Sequence, residues 1–565
     1  MRRARLLAAV EGPGREAAVV ALLLLLIRPA LLPDPRPVVG SLNDDAIYVA
    51  LGRAIAEGHG YRSLYLPGDP VQVRYPPTLP AVLAVLWRIG GTLDAVTELA
   101  LALNAVLIAL AAGLLYWLAR TRLRLHPALA AAFVVGPFLL DASLLYSRLI
   151  LSEPYFVAGW AAALALGYRA AEQEPGPCRV VTALALGLVL AATALARSQA
   201  LALVPALLAA LVAKRVDARA LTAATAGALA PLAAWHWVHA RWVAAGPLST
   251  AADEVSYVAW TGIESASSAI RTVVGAAVLN AANYTVIFSR YFGDLVLGGF
   301  LVVVSLAALA VAGALRRFRS DPGLVLGTSA AAAITAAWPF TQDRLVLPLL
   351  PFIGMLAATE VARLLRSTAP RGRIILAALL CAAAASVAIR QVTIRHHVNA
   401  RLAAGMAADY YTPTDYVQRT SRLLVALTDW VRANTRPEDR IMAALPGGVY
   451  LHTGRKAVPA GPVQPMIGRR LFRTPGAYLA GQILAERPTV LVVHEPRRGR
   501  ADIARDVDAV LARCPGVLTP LPTTPAGFAA SYRIRADASC LAPIARGDAA
   551  GEARGPMDHR AGETG

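Results

Sequence analysis

Apolar runs recur through most of this chain, each near the roughly 20 residues a helix needs to cross a bilayer. They lie at about 16–33, 97–118, 127–144, 154–169, 180–196, 198–213, 220–243, 291–314, 323–340, 344–363 and 374–391. That count of about eleven limits the fold class to a polytopic helical membrane protein. The chain is 57% hydrophobic with a mean hydropathy of +0.52, beyond the roughly 45–50% apolar content of soluble domains. The runs 180–196 and 198–213 are joined only by Arg197-Ser198, so a hairpin that does not cross fully is the alternative there.

Charge gives the expected orientation. The net charge is +19, and many of the arginines sit in short loops between apolar runs. This distribution fits the positive-inside bias and anionic headgroups, and it argues against nucleic acid as a partner. Met1-Arg2-Arg3-Ala4-Arg5 precedes the run 17–32, and Pro33-Asp34-Pro35 follows with no small-residue cleavage pattern. We read an uncleaved first crossing with a cytoplasmic N-terminus in the plasma (inner) membrane. The inside loops then hold Arg120, Arg122 and Arg124, Lys214, Arg215 and Arg219, Arg316, Arg317 and Arg319, and Arg363 to Arg373. The outside loop 246–290 carries only Arg271 and Arg290.

Three domains are expected: a transmembrane domain over 1–392, an extracytoplasmic α/β domain over 393–544 and a disordered tail over 545–565. The first outer loop, 34–96, includes the apolar stretch Pro76–Ile89, which is short and proline-led and suits an interfacial helix. In the outer domain Leu423–Ala433 reads as an amphipathic helix, and Arg440–Leu445 and Thr489–His494 read as strands. Cys514 and Cys540 both fall there, either bonded or as two free thiols. Cys178 and Cys381 read as inert, and no Cys-x-x-Cys spacing occurs.

Ionisable groups near hydrocarbon usually mark a site. Arg28, Asp141, Arg148, Glu153, Arg197, His236, His239, Asp294, Asp343 and Arg344 all map to outer ends. A transporter or flippase needs a midplane site and commonly a repeated half, and neither is found. Charge gathered at one face suits a reaction on a lipid-borne substrate. Asp44-Asp45, a few residues past the first crossing, can supply a general base and a neighbour that orients it, raises its pKa or holds a divalent cation. A plain helix N-cap at Asn43 or Asp44 explains the same residues without catalysis. Glu153 before Pro154 is equally favoured by a helix dipole. Arg74 in Arg74-Tyr75-Pro76-Pro77, Arg197 and Arg344 can each grip a phosphate or anchor a helix end. Trp235-His236-Trp237 reads as an interfacial aromatic belt.

Taken together, these segments resemble the GT-C membrane glycosyltransferases, in particular the protein O-mannosyltransferase and lipid A aminoarabinose transferase group. The resemblance rests on Asp44-Asp45-Ala46-Ile47-Tyr48, Gly58-His59-Gly60-Tyr61, Arg74-Tyr75-Pro76-Pro77, Leu151-Ser152-Glu153-Pro154 and Arg344 with its Leu-Pro-rich run to Pro351. Tyr450-Leu451-His452-Thr453-Gly454-Arg455 is similar to the outer domains of bacterial members. It implies inverting transfer of a hexosyl or pentosyl unit from a polyprenyl-phosphate donor to a lipid, glycan or protein acceptor among membrane lipids. It makes Asp44 the base, Asp45 its partner, Glu153 a positioning acid, and Arg74, Arg197 and Arg344 the phosphate ligands. Tyr48, Tyr75 and Arg148 would line the pocket. No cofactor is certain; a divalent cation, if any, would sit on Asp44 and Asp45. The alternatives are a lipid-linked glycan polymerase or ligase, the transporter already weighed, and an inactive scaffold.

Overall fold

The structure, a computed structural model, describes residues 2–32, 36–246, 266–292, 296–338, 340–403, 413–461, 475–494 and 502–546. Its bundle is built from α1 (Arg2–Leu31), α2 (Asp44–Ala56), α3 (Thr78–Gly90), α4 (Leu93–Thr121), α5 (Pro127–Ala130), α6 (Asp141–Tyr146), α7 (Glu153–Glu172) and α8 (Pro177–Ala194). It continues with α9 (Leu203–Ala213), α10 (Ala218–Ala245), α11 (Ala266–Phe292), α12 (Val296–Arg317), α13 (Pro322–Ala336), α14 (Asp343–Val346), α15 (Leu350–Ser367) and α16 (Pro370–Ala403). Among the described residues six helices are long and apolar enough to cross a membrane, and shorter apolar helices accompany them.

Two expectations about the bundle need correction. The run 127–144 is no single helix: after α5 it passes through a π segment at Ala131–Val135 and a 3-10 segment at Gly136–Leu139, then breaks at Leu140 before α6. Pro137 has no N–H for the helical ladder, which accounts for the change of winding. The stretch assigned to the loop 246–290 contains most of α11, and the next helix starts at Val296 instead of 291. Asp294 lies outside the described residues.

The helices approach closely where small residues permit it. In the α8–α10 contact a Cβ at Gly187 would stand 2.2 Å from the Ala224 carbonyl oxygen. Such small-residue contacts are how helices associate where hydrocarbon offers no hydrophobic drive. Trp160 stacks on Phe352 at the centre of the bundle core.

The C-terminal part comprises α17 (Pro413–Asn434), α18 (Pro446–Thr453), α19 (Ala477–Glu486), α20 (Asp502–Arg513) and α21 (Ala538–Ala545) around a five-stranded sheet. Its strands are β1 (Ile441–Ala443), β2 (Ala457–Pro459), β3 (Val490–His494), β4 (Leu518–Pro520) and β5 (Phe528–Ile534). The order is β2-β1-β3-β5-β4, parallel around β1 and antiparallel at β5. A disulfide joins Cys514 to Cys540. The tail expected to be disordered lies, past Arg546, outside the described residues.

This domain and the loop after α1 share one core. Ile47, Tyr48, Tyr65 and Leu79 cluster with Met442, Val458, Leu479 and Leu491. Backbone contacts reinforce it, with the Ala457 N–H donating to the Tyr65 carbonyl at 2.7 Å. The end of the bundle that carries this domain is where the polar groups gather.

Candidate active site

The segment before α2 turns sharply, with Gly40 at φ +103° and Asn43 at φ +66°. Asn43 makes no side-chain cap, so the plain N-cap account of this residue fails. Asp45 is fully buried and accepts from the Gly40 N–H at 2.7 Å and the Leu42 N–H at 3.3 Å. Burial pushes its carboxyl up to about 6, against the pull of these amides. Its bonds go back into its own loop.

Asp44 faces the other way, into a set of cations and hydroxyls. Its Oδ2 lies 2.5 Å from Arg344 Nη2, and its Oδ1 accepts from the Tyr75 hydroxyl at 2.6 Å. Burial pushes the Asp44 carboxyl up, yet the guanidiniums of Arg344 and Arg74 and the Tyr75 hydroxyl outweigh it and hold it below the usual carboxylate range. Arg74 stands 5.7 Å from the Tyr75 ring centre, and Tyr48 meets that ring edge-on at 5.1 Å.

Glu153 opens α7 and is 7% exposed. Its Oε1 is 2.9 Å from Arg197 Nη1 and 4.0 Å from Arg344 Nε, yet neither oxygen accepts an aligned hydrogen bond. Arg344 thus joins the two carboxylates, although 300 residues separate it from Asp44. Arg197 is further held by Ser152 and Gln199, both at 3.0 Å.

Arg148, also expected in this pocket, sits in the loop between α6 and α7, where the next carbonyl, that of Leu149, accepts from Asn104 Nδ2 at 3.0 Å. His239 binds the Gln72 carbonyl at 2.6 Å and stacks on Trp235, tying the loop to α10 and away from the carboxylates. Sequence reasoning missed the support beneath Arg344. Asp343 accepts from Tyr146 at 2.7 Å and Tyr291 at 2.6 Å, while Gln342 accepts from Arg344 Nε at 3.1 Å. The run Thr341-Gln342-Asp343 before Arg344 was the available signal.

As a cation site the acidic pair fits poorly. Asp44 is committed to Arg344 and Tyr75, and Asp45 to backbone amides, so their oxygens do not converge. Among the described residues no cluster of three His, Cys, Asp or Glu could hold a metal ion.

An apolar cavity of about 730 Å³ opens between α1, α4, α7 and α8. Ala17, Leu107, Gly159 and Val189 line it, together with Thr78 and with Ala196, which precedes Arg197 in the chain.

A polytopic helical bundle with a juxtamembrane loop and a small α/β domain is the fold class expected from the sequence. Among solved structures the chain is similar to apo ArnT from Cupriavidus metallidurans, at 13% identity and a TM-score of 0.50, covering 94% of this chain and 99% of that one. ArnT from the same organism bound to undecaprenyl phosphate matches at 14% identity and 0.49, covering 91% and 97%. The apo oligosaccharyltransferase of Archaeoglobus fulgidus matches at 13% and 0.49, covering 85% and 69%. At these identities the likeness is one of fold. The sequence matches no family model and no curated protein.

Proposed function

We propose that this protein is a glycosyltransferase that moves a sugar from a polyprenyl-phosphate donor to an acceptor at the outer face of the inner membrane, with inversion. The observation that carries the reading is the array Asp44–Arg344–Glu153–Arg197, with an apolar cavity whose lining includes Ala196, next to Arg197 in the chain. The cavity suits an isoprenoid chain, whose burial would hold the donor phosphate beside Arg74, Arg197 and Arg344.

In this mechanism the acceptor hydroxyl attacks the anomeric carbon, and the bond from that carbon to the phosphate oxygen breaks with its electron pair. The phosphate leaves with added negative charge, which the guanidiniums stabilise. The acceptor proton passes to Asp44. A carboxylate held below its ordinary range is ionised at neutral pH, and it becomes a competent acceptor as the attacked hydroxyl turns acidic in the transition state. Glu153, whose oxygens accept no aligned hydrogen bond, is available to a sugar or acceptor hydroxyl.

Membranes containing the protein would be incubated with radiolabelled polyprenyl-phosphate mannose, arabinose and glucose. Asp44→Asn should lower transfer by about 10²–10⁴-fold, the usual range for a general base, with unchanged expression. Wild-type rates in that variant, or no donor consumed by either protein, would remove the reading.

A further inference from the structure

Gln199 lies in a 3-10 turn, Ser198–Ala202, between α8 and α9, and only 6% of it is exposed. Its amide Oε1 accepts from Arg197 Nε at 3.0 Å. Its amide nitrogen turns the other way, donating to the Leu345 carbonyl at 3.3 Å and to the Thr335 hydroxyl. That hydroxyl donates its own proton to the Ala331 carbonyl at 2.8 Å, so it meets Gln199 as an acceptor. These partners admit one amide orientation, because a guanidinium only donates and a carbonyl only accepts. Gln199 therefore joins the Arg197 guanidinium to the backbone of the residue after Arg344, across 146 residues of chain. On Arg344 a second amide, Gln342, takes the matching Nε at 3.1 Å. Each guanidinium is thus oriented at Nε by a neutral group two residues away, and its terminal nitrogens are turned towards Asp44 and Glu153.

We propose that Gln199 is a positioning residue that fixes Arg197 and Arg344 relative to each other, as a two-sided grip for the phosphate of a lipid-linked substrate. This rests on the transfer reading above. Both guanidiniums approach Glu153 Oε1, Arg197 at 2.9 Å and Arg344 at 4.0 Å, so they already converge on one acidic oxygen. A phosphate makes the same demand for planar forks of donors at a set spacing. An amide suits the task better than a carboxylate, since it orients the cations without a charge that competes with the phosphate. Fixing Arg197 in advance also removes the ordering of a long side chain from the cost of binding. The amide nitrogen of Gln199 is engaged with Leu345 and Thr335, so Gln199 acts through the arginines and not on the substrate itself.

The full-length protein in mild detergent would be titrated with undecaprenyl phosphate and read by native mass spectrometry, with transfer from the labelled donors measured on the same variants. Gln199→Leu removes both ends of the link and should weaken lipid-phosphate binding by about tenfold or more. Gln199→Glu keeps the size and the Arg197 bond but sets an acceptor against the Leu345 carbonyl, and it should lose as much. A residue that only fills space would let Gln199→Glu bind as the wild type does, and that result would overturn the proposal. In an Arg197→Gln background Gln199→Leu should cost less than about threefold more, since it acts largely through that arginine. A full further loss there would mark general packing and overturn it too. If Gln199→Leu fails to fold, Gln199→Glu and its double variant with Arg197→Gln decide. Unchanged Gln199 variants beside an impaired Arg197→Gln would sink this inference and leave the transfer reading standing. A wild type that binds undecaprenyl phosphate in a Gln199-dependent way yet consumes no donor would do the reverse. A wild type that binds no lipid phosphate refutes both.

Discussion

Two adjacent aspartates of the same type have been given opposite environments. Asp44 meets guanidiniums and a phenol, while Asp45 is buried and accepts from backbone amides of its own loop. Neighbouring position therefore says little about shared surroundings, and the pair divides into one carboxylate held by cations and one held by its own turn. The sign of the resulting pH effect is fixed. A carboxyl near 6 in the fold and near 3.8 unfolded binds more protons when folded, so stability is full below about 4 and declines until about 6. The rise from 3.8 to about 6 corresponds to about 3 kcal/mol at most. Asp45→Asn, which keeps an acceptor for one amide and has no proton to lose, should flatten that decline. The check is the apparent melting temperature of both proteins between pH 4 and 7. Parallel curves would mean that Asp45 does not titrate in this range.

Among the elements, helices were legible where apolar residues run unbroken, and the strands β1 and β3 showed as short apolar runs. What misled was polarity inside a helix. Asn280, Asn283 and Tyr284 make α11 look like a loop, yet they bond to Ala336, Thr341 and Gln342, so their polarity serves packing. The acids and arginines of the site were visible as types and as a common face. The contact between α18 and the turn before α2 was invisible, since about 400 residues separate the partners. There Gly447 and Gly448 lie against Ala46 and Gly40, His452 binds the Val39 carbonyl at 2.8 Å, and Ser421 meets Ser41 at 2.6 Å. Gly40 has no room for a side chain, since its Cβ would fall 2.7 Å from the Gly448 Cα, and its φ is one that favours glycine. Gly40→Ala should cost about 1–3 kcal/mol through backbone strain and displace the loop that sets Asp44. The expected outcome is transfer reduced by tenfold or more with donor binding retained. Unaltered transfer would show that this contact does not hold the site.

At the scale of the whole molecule, the loop bearing Asp44 and the C-terminal domain are one folded body, because their apolar side chains fill a single core. The bundle meets that body through Arg344 on Asp44 and through Asp141, which accepts from Thr414 at 2.5 Å. Damage far from the carboxylates should therefore reach them. The Cys514–Cys540 bond closes a span of 26 residues and pins α21 to the end of α20, where Leu541 and Ile544 enter the same core as Tyr48. Chain-entropy arguments give such a loop about 3 kcal/mol, lost by replacing both cysteines. The double variant Cys514→Ala, Cys540→Ser should be cut faster by protease within its C-terminal domain. If the core is shared in the way the packing indicates, transfer should fall over the same temperature range in which cleavage rises. A variant whose domain is digested while transfer continues at the wild-type rate would show that the bundle and the Asp44 loop hold the site without the domain.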